Sequence, residues 1–167
     1  MTSEMVQIEL VIKFLLLLGV ANGTPIFAAR ILGSKFARPI DGGMTWWDGR
    51  AVFGASKTVR GIVVALLFTL LAALILGLSP TTGLIIAATS MAGDLLSSFI
   101  KRRLGLAPSS RATGLDQIPE SLLPALVGIP LLGFHYLDVI AVVALFLVGG
   151  LLLSQVLYRL KIRKHPY

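Results

Sequence analysis

Residues 93–105, GDLLSSFIKRRLG, place one carboxylate, two hydroxyls and three cations at the end of an apolar run. On a helix, five of these side chains fall at i, i+3, i+4, i+7 and i+8 and share one face: Asp94, Ser97, Ser98, Lys101 and Arg102. A carboxylate grouped with cations suits Mg²⁺ together with phosphates, because hard oxygen ligands take Mg²⁺ and basic side chains bind phosphate oxygens. The structural alternative is an ion pair of Asp94 with Lys101 or an arginine. Arg103 falls on the apolar side, where a charge that orients the helix or contacts headgroups is expected.

Two long loops supply further polar side chains. The first, ARPIDGGMTWWDGRAVFGASKTVRG (37–61), holds four cations and two carboxylates, of which the candidate site residues are Lys57, Arg60, Asp41 and Asp48. The second, GLAPSSRATGLDQIPES (105–121), adds small and basic residues that can bind phosphate, namely Ser109, Ser110 and Arg111, and the carboxylate of Asp116. Helix-end capping is the structural alternative for Asp116. The two loops therefore bring carboxylates and cations of the same kind as the 93–105 segment.

The composition is that of an integral membrane protein. Of 167 residues, 56% are hydrophobic and 14% are charged, whereas soluble domains carry about 25% charged residues. Five apolar segments close to the length that crosses a bilayer predict a single all-α transmembrane domain. The predicted spans are about 10–32, 62–78, 80–104, 122–137 and 138–158. Ser79 and Asp138 are placed to cap the third and fifth helices.

The basic residues indicate which ends of the helices face the cytosol. Lysines and arginines gather in the two long loops and in the C-terminal tail, whereas the other three exposed segments hold almost none. Since positively charged loops stay on the cytoplasmic side, the N-terminus is predicted outside, and both long loops and the C-terminus inside. The net charge of +7 is explained in this way without a nucleic-acid partner.

Two features predict a polar cavity in the cytoplasmic half of the membrane. Asp94 would lie ~21 Å along a helix that starts at Pro80, inside a hydrocarbon core of ~30 Å. A lone carboxylate is costly there, so Asp94 needs a cation, a metal or a wet cavity. In the first span, Asn22 falls at a similar depth, and Pro25 frees a backbone carbonyl near Ala21 that can line a cavity. A simple proline kink is the alternative.

The motifs resemble those of the membrane-embedded CTP transferases that activate phospholipid precursors. The run from Ser98 to Arg102 is similar to the beginning of the signature of bacterial phosphatidate cytidylyltransferases. Asp116 stands at the final aspartate of that signature, with Gln117 in place of the arginine that follows it. Where the chain departs from the bacterial pattern, it resembles the archaeal branch, the CDP-archaeol synthases. The segments that carry this resemblance are ANGTP (21–25), DGG (41–43), DGR.VFG..KT.RG (48–61), GDL..SF.KRR.G (93–105) and LDQ.PE (115–120).

The resemblance implies a Mg²⁺-dependent transfer of CMP from CTP to the phosphate of 2,3-bis-geranylgeranyl glycerol 1-phosphate, which gives CDP-archaeol and pyrophosphate. It implies CTP, an isoprenoid ether lipid phosphate and the lipid bilayer as partners, and it leaves a homodimer open. We expect Mg²⁺ at Asp94 and Asp116, and phosphates at the other catalytic residues: Lys57, Arg60, Lys101 and Arg102. We expect the substrates to be bound by Asn22, Asp41, Asp48, Ser97, Ser98, Ser109, Ser110, Arg111 and Gln117. Whether the two carboxylates of the first loop order that loop or recognise cytosine is left open.

Two other functions fit part of the pattern. Broken helices with polar groups near the midplane also mark transporters and channel subunits, but the polar cluster here opens to one side only. A CDP-alcohol phosphotransferase also holds Mg²⁺ with carboxylates at a membrane cavity, but the D-G-x₂-A-R motif of that family is missing from this sequence. The sequence therefore favours the cytidylyltransferase.

Overall fold

The computed structural model describes residues 6–107, 110, 112 and 114–159, and this part of the chain folds into five α-helices. They are α1 (Ile8–Leu32), α2 (Val59–Ile75), α3 (Pro80–Arg103), α4 (Gln117–Leu132) and α5 (Tyr136–Arg159). Within the described residues, extended pairing is limited to two isolated β-bridges in the loop between α1 and α2, Pro39 with Thr58 and Thr45 with Ala51. The described fold is therefore all-α, as the sequence predicts.

Two of the helices, α1 and α3, are long and apolar enough to cross a membrane by length and composition. The other apolar helical segments, α2, α4 and Tyr136–Leu152 of α5, are shorter. Large apolar side chains are exposed on all five helices, among them Ile12, Phe68, Ile85, Ile129 and Ile140. Lipid tails are as apolar as these side chains and accommodate such a surface.

Four helices begin earlier than the apolar pattern predicts, and α1 does so by two residues, at Ile8 rather than at residue 10. α2 begins at Val59 rather than at residue 62, because the hydroxyl of Thr58 caps it by accepting a hydrogen bond from the N–H of Gly61 (3.1 Å). α4 begins at Gln117 rather than at residue 122, and α5 begins at Tyr136 rather than at residue 138. The first turn of each of these helices contains a polar or charged residue. A prediction that follows the apolar run therefore misses it.

The polar groups at the helix ends explain where α3 and α5 start. Ser79 caps α3 as predicted, since its hydroxyl accepts a hydrogen bond from the N–H of Thr82 (3.1 Å). Asp138, predicted to open α5 as its cap, lies instead in the first turn of that helix. Its carboxylate accepts hydrogen bonds from the N–H of His135 (2.8 Å) and from that of Gln7 (2.7 Å). Asp138 therefore ties the start of α1 to the start of α5.

α2 and α4 also end earlier than predicted. They stop at Ile75 and Leu132, before the expected ends at residues 78 and 137. Gly77 and Gly133 follow with positive φ angles of 73° and 71°, a conformation that glycine adopts readily and that ends helices. The chain then turns into α3 and α5.

α3 lies at the centre of the bundle and packs against α1, α2 and α4. Small residues permit the closest approaches, as is common between helices in membranes. A methyl group on Gly83 would lie 2.7 Å from the Cβ of Ala73 on α2, and one on Gly93 would lie 2.7 Å from the Cα of Glu120 on α4. The backbones of α3 and α4 are therefore in contact at Gly93.

The first loop is fastened to the end of α3 by Arg103. The guanidinium of Arg103 donates hydrogen bonds to the carboxylate of Asp48 (2.5 Å) and to the backbone carbonyl of Ala51 (2.5 Å), and it lies 4.9 Å from the centre of the Phe99 ring. In the opposite direction, Arg50 donates a hydrogen bond to the backbone carbonyl of Arg103 (2.5 Å). Arg103 is thus a cross-link between the loop and α3, a role that the sequence-based interpretation as an orienting or headgroup charge did not include.

Candidate active site

A cavity of about 550 Å³ lies between α1, α2, α3, α4 and the first loop. Its volume is within the range of small-molecule sites, which is roughly 300–1,000 Å³. α3 contributes four polar residues to the lining, namely Asp94, Ser98, Lys101 and Arg102, and α1 contributes Asn22. The bundle therefore gathers most of the predicted polar face of α3 around one cavity.

Asp94 and Lys57 form an ion pair inside this cavity. The ammonium nitrogen of Lys57, in the loop just before α2, lies 2.6 Å from each carboxylate oxygen of Asp94 on α3. Both side chains are about a quarter exposed and both line the cavity. The ion pair considered for Asp94 from the sequence is therefore present, but its partner is Lys57 and not Lys101 or an arginine.

A second ion pair joins Lys101 to Asp116. The ammonium of Lys101 lies 2.7 Å from one carboxylate oxygen of Asp116 and donates to the backbone carbonyl of Ser110 (2.6 Å). The other oxygen of Asp116 accepts a hydrogen bond from the N–H of Ala112 (2.9 Å). Lys101 is buried and lines the cavity, so it connects the cavity wall to the second loop. Asp116 precedes α4, but its side chain does not cap that helix.

Arg102 is the most deeply buried cation of the described cavity, with only 5% of its surface exposed. One of its terminal nitrogens donates to the backbone carbonyl of Ala107 (2.7 Å). Its Nε and Nη1 have no hydrogen-bond partner among the described residues. Buried donors without partners cost free energy, and a guanidinium matches the oxygens of a phosphate in a forked geometry. Arg102 is therefore well suited to bind a phosphate.

Glu120 is a site residue that the sequence-based reasoning missed. It lies on α4 and its side chain lines the cavity with those of Asp94, Lys57 and Lys101. Within the part of the chain that the structure describes, its carboxylate takes part in no ion pair. Its spacing of four residues from Asp116 was a usable signal, since two such residues share one face of a helix. The predicted start of the fourth span at residue 122 left Glu120 in the loop.

A chain of hydrogen bonds holds α1, α3 and α4 together beside the cavity. The side-chain amide of Asn22 on α1 donates to the hydroxyl of Ser90 on α3 (3.0 Å), and Ser90 donates to the backbone carbonyl of Glu120 on α4 (3.0 Å). Asn22 also donates to the carbonyl of Leu18 (3.0 Å). Asn22 and Pro25 both line the cavity, where the sequence placed a polar break in the first span.

The two carboxylates of the first loop bind loop atoms and do not line the cavity. Asp41 is buried and accepts hydrogen bonds from the N–H groups of Gly43 (3.0 Å), Phe53 (2.9 Å) and Gly54 (3.1 Å). Burial by itself raises the pKa of Asp41, but these N–H donors outweigh it and hold the pKa below its usual value of 3.8. Asp48 accepts from the N–H of Arg50 (3.1 Å) as well as from Arg103. These contacts are those of loop-ordering residues, which is one of the two roles left open for them, and direct substrate binding by either carboxylate stays a prediction.

Other predicted residues contact the backbone instead of the cavity. Ser97 donates to the carbonyl of Gly93 in its own helix (3.0 Å), and Gln117 accepts from the N–H of Gly114 (2.8 Å). The hydroxyl of Ser110 is buried and has no partner among the described residues, and it does not line the cavity. The side chains of Ser97 and Gln117 thus serve the local fold, and direct substrate contact by these three residues stays a prediction. Ser109 and Arg111 lie outside the described residues.

Arg60 lines the cavity, but its guanidinium is engaged elsewhere. It donates hydrogen bonds to the backbone carbonyls of Gly33 (3.0 Å) and Lys35, just after the end of α1. A cation in this position satisfies carbonyls at a helix C-terminus. Arg60 therefore joins α2 to the end of α1 and presents only part of its side chain to the cavity.

The acidic residues fit Mg²⁺ that is shared with phosphates. Asp94 and Glu120 line the cavity, and Asp116 is one ion pair away from it through Lys101. No group of three or more Asp, Glu, His or Cys residues is close enough to hold a metal on its own in the described ranges. Mg²⁺ commonly takes one or two protein carboxylates and completes its shell with substrate phosphates and water. The residues therefore fit a metal that arrives with a phosphate ligand.

Comparisons with known proteins agree with this architecture. The family model for CarS-like proteins, CDP-archaeol synthase, matches residues 5–167. A CDP-archaeol synthase of Sulfurisphaera tokodaii is 34% identical over 165 residues, which cover 89% of this chain and 89% of the relative. A CDP-archaeol synthase of Pyrococcus furiosus is 42% identical over 107 residues, which cover 58% of this chain and 60% of the relative.

One solved structure has the same fold. It is described as an intramembrane enzyme for archaeal membrane lipids biosynthesis, and it is similar to this chain with a TM-score of 0.69 and 31% sequence identity. The match covers 86% of this chain and 91% of that one. Because the family model spans nearly the whole sequence and relatives at this identity match most of it, this chain belongs to the CDP-archaeol synthase family.

Proposed function

We propose that this protein catalyses the transfer of CMP from CTP to the phosphate of 2,3-bis-geranylgeranyl glycerol 1-phosphate, giving CDP-archaeol and pyrophosphate. The observation that carries the proposal is the convergence of four cations and two carboxylates in one cavity: Arg102, Lys57, Lys101, Arg60, Asp94 and Glu120. Such a set of charges binds a polyphosphate better than it binds a neutral solute, because it offers both phosphate ligands and metal ligands.

The chemistry requires positioning and charge neutralisation more than proton transfer. An oxygen of the lipid phosphate attacks the α-phosphorus of CTP, and the bond from that phosphorus to the bridging oxygen breaks, so the electron pair leaves with pyrophosphate. A phosphate monoester with a second pKa of about 6 is already largely dianionic at neutral pH. The attacking group therefore needs no general base. No histidine is among the described residues that line the cavity, which is consistent with this mechanism.

The cavity residues divide into phosphate ligands and metal ligands. Arg102 would bind a phosphate through the two nitrogens that have no partner among the described residues, and Lys57 and Lys101 would neutralise further oxygens. Asp94 and Asp116, with Glu120 as a third acidic residue, would hold Mg²⁺, which neutralises phosphate charge when bound. Arg60 would contribute positive charge at the rim.

The lipid would enter from the bilayer through the apolar part of the cavity. Pro25, Ile26 and Ala29 on α1 and Leu95 on α3 line this part, and Ile26 is also exposed on the outer surface of the bundle. We propose that all five helices span the membrane with the N-terminus outside, so that CTP enters from the cytoplasm. The gathering of lysines and arginines in the two loops beside the cavity supports this orientation.

The experiment that tests the function uses the purified full chain, labelled CTP, Mg²⁺ and lipid phosphates of both ether and ester type. We expect a labelled CDP-lipid and an equal amount of pyrophosphate with the ether lipid, and no CDP-lipid when Mg²⁺ is chelated. Asp94→Asn should abolish the transfer. The matched control is Glu9→Gln, because Glu9 forms an ion pair of similar length with Lys13 (2.7 Å) outside the cavity.

Other outcomes would contradict the proposal. Release of CMP from a CDP-lipid without pyrophosphate formation from CTP would indicate a phosphotransferase. Uptake of solute into vesicles without nucleotide consumption would indicate a transporter.

A further inference from the structure

We infer that Lys57 is an exchangeable counter-ion: it neutralises Asp94 until a nucleoside triphosphate arrives with a divalent cation, and it then moves from the carboxylate to a phosphate. The inference rests on the proposed function, because it concerns the same cavity and the same ligands. It assigns to Lys57 a role in coupling the two ligands, which goes beyond phosphate binding.

The geometry of the Lys57–Asp94 pair is the first argument. The ammonium nitrogen lies 2.6 Å from both carboxylate oxygens, so each oxygen that could bind a metal is already in contact with a positive charge. A divalent cation cannot approach these oxygens without displacing the ammonium, since the two positive charges repel each other at short distance. Asp94 therefore becomes a metal ligand only if Lys57 finds another anion.

The second ion pair restricts the other predicted metal ligand in the same way. One oxygen of Asp116 is held by Lys101 and the other by the N–H of Ala112. Each of the two acidic residues is thus matched by one lysine, and both lysines line the cavity. A metal ion alone therefore meets Asp94 and Asp116 when both carboxylates are already paired, and a triphosphate alone meets two lysines that are already paired.

A triphosphate and a metal together resolve both conflicts. The phosphates accept the lysines, the carboxylates that the lysines leave accept the metal, and the metal neutralises the remaining phosphate charge. Lysine suits this exchange because its ammonium is a compact charge on a flexible stem. Lys57 and Asp94 line the same cavity, so the ammonium can reach a ligand there by rotation of its side chain. The two ligands should therefore bind cooperatively.

The test measures metal binding without nucleotide, using Mn²⁺ in place of Mg²⁺ and electron paramagnetic resonance on the detergent-solubilised full chain. Lys57→Gln removes the charge that competes for Asp94. We expect it to bind Mn²⁺ about tenfold more tightly than the wild type, within the range that is typical of coupling between two ligands. Lys13→Gln, which breaks the ion pair with Glu9 outside the cavity, should bind Mn²⁺ as the wild type does. Equal Mn²⁺ affinity of the wild type and Lys57→Gln would overturn the inference.

A second measurement tests the exchange through CTP binding in the absence of metal. It does not depend on the folding of Lys57→Gln alone. In EDTA, CTP should bind more tightly to Asp94→Asn than to the wild type, because Lys57 is then available to the phosphates. The double variant Lys57→Gln/Asp94→Asn should lose this gain, as in a double-mutant cycle. A gain that persists in the double variant would show that Lys57 is not the exchanged charge.

The same binding experiments separate this inference from the proposed function. If the wild type binds CTP with Mn²⁺ and forms CDP-lipid, but Lys57→Gln leaves the Mn²⁺ affinity unchanged, only the counter-ion exchange is refuted. If the wild type binds no CTP even with Mn²⁺ present, the proposed function itself fails.

Discussion

Gly93→Ala tests whether the contact between α3 and α4 sets the geometry of the cavity. The added methyl group would lie 2.7 Å from the Cα of Glu120 and closer still to the carbonyl oxygen of Pro119. Both are backbone atoms, so no side-chain rotation relieves the contact and the two helices must move apart. Overpacking of this kind costs typically about 1–3 kcal/mol, and roughly 2–4 °C of Tm accompanies each kcal/mol in a chain of this size.

The effect on activity should exceed the effect on stability. Asp94 follows Gly93 directly on α3, and Glu120 follows Pro119 on α4, so separating the helices moves two cavity carboxylates relative to each other. A misplacement of about 1 Å in an active site can lower the rate by about a hundredfold. We therefore expect kcat/KM for CDP-lipid formation to fall by about a hundredfold in Gly93→Ala, while the purified protein remains folded below its lowered Tm.

Two control substitutions separate the site effect from general destabilisation. Gly83 lies on α3 like Gly93, and the methyl group of Gly83→Ala would lie 2.7 Å from Ala73 on α2. Gly83 is ~15 Å from Gly93 along α3, away from the cavity. Gly83→Ala should lower the Tm by a similar amount and retain much more activity. The methyl group of Gly19→Ala on α1 would meet no atom within 4 Å, so this variant should change neither the Tm nor the activity. If Gly93→Ala and Gly83→Ala lose activity equally, the contact at Gly93 has no special role in the site and our reasoning is wrong.

Three further predictions concern individual side chains. Arg102→Lys keeps the charge but loses the forked guanidinium, so we expect the affinity for CTP with Mg²⁺, measured by titration, to fall. The fall should be larger than that in Arg60→Lys, because the guanidinium of Arg60 contacts backbone carbonyls. Arg103→Ala should lower the activity less than Arg102→Ala does. It should also make the first loop more sensitive to limited proteolysis, because the loop loses its contacts with α3. An unchanged rate of cleavage in the first loop would contradict this prediction. In the folded protein the pKa of Asp41 is lower than in the unfolded chain. Its stabilisation of the loop is therefore complete at pH values above the pKa of the unfolded chain, which is about 4, and is lost as the pH falls through the lower pKa of the folded protein. Asp41→Asn should therefore remove part of the acid dependence of hydrogen exchange at Phe53 and Gly54, and an identical acid dependence in the variant would refute this role.

The ion pairs of the cavity illustrate why a carboxylate in an apolar helix is informative. The sequence indicated that Asp94 needs a cation, a metal or a wet cavity, and the structure provides a cation and a cavity together. The cation comes from the first loop, 37 residues before Asp94 in the chain. No helical periodicity relates these two positions, so the partner could not be predicted from spacing on one helix.

The local pattern was most reliable within single helices. Asp94, Ser98, Lys101 and Arg102 were placed on one face by their spacing, and all four line the cavity. Ser97 was placed on the same face but donates to the carbonyl of Gly93, because a serine within a helix can bond to its own backbone. Periodicity therefore predicts the direction of a side chain but not what its polar atoms contact.

The sequence by itself determined that the chain is an all-α, strongly apolar protein with five helical segments, and its motifs identified the CDP-archaeol synthase family. These properties depend on composition and on short-range spacing, both of which can be counted along the chain. Only the tertiary structure decided which charges meet: Lys57 with Asp94, Lys101 with Asp116, and Glu120 on the cavity wall. The physical reason is that such pairs depend on how closely the helix backbones approach, which is decided by contacts such as that of Gly93 with Pro119 and Glu120 and by the anchoring of the loops between the helices.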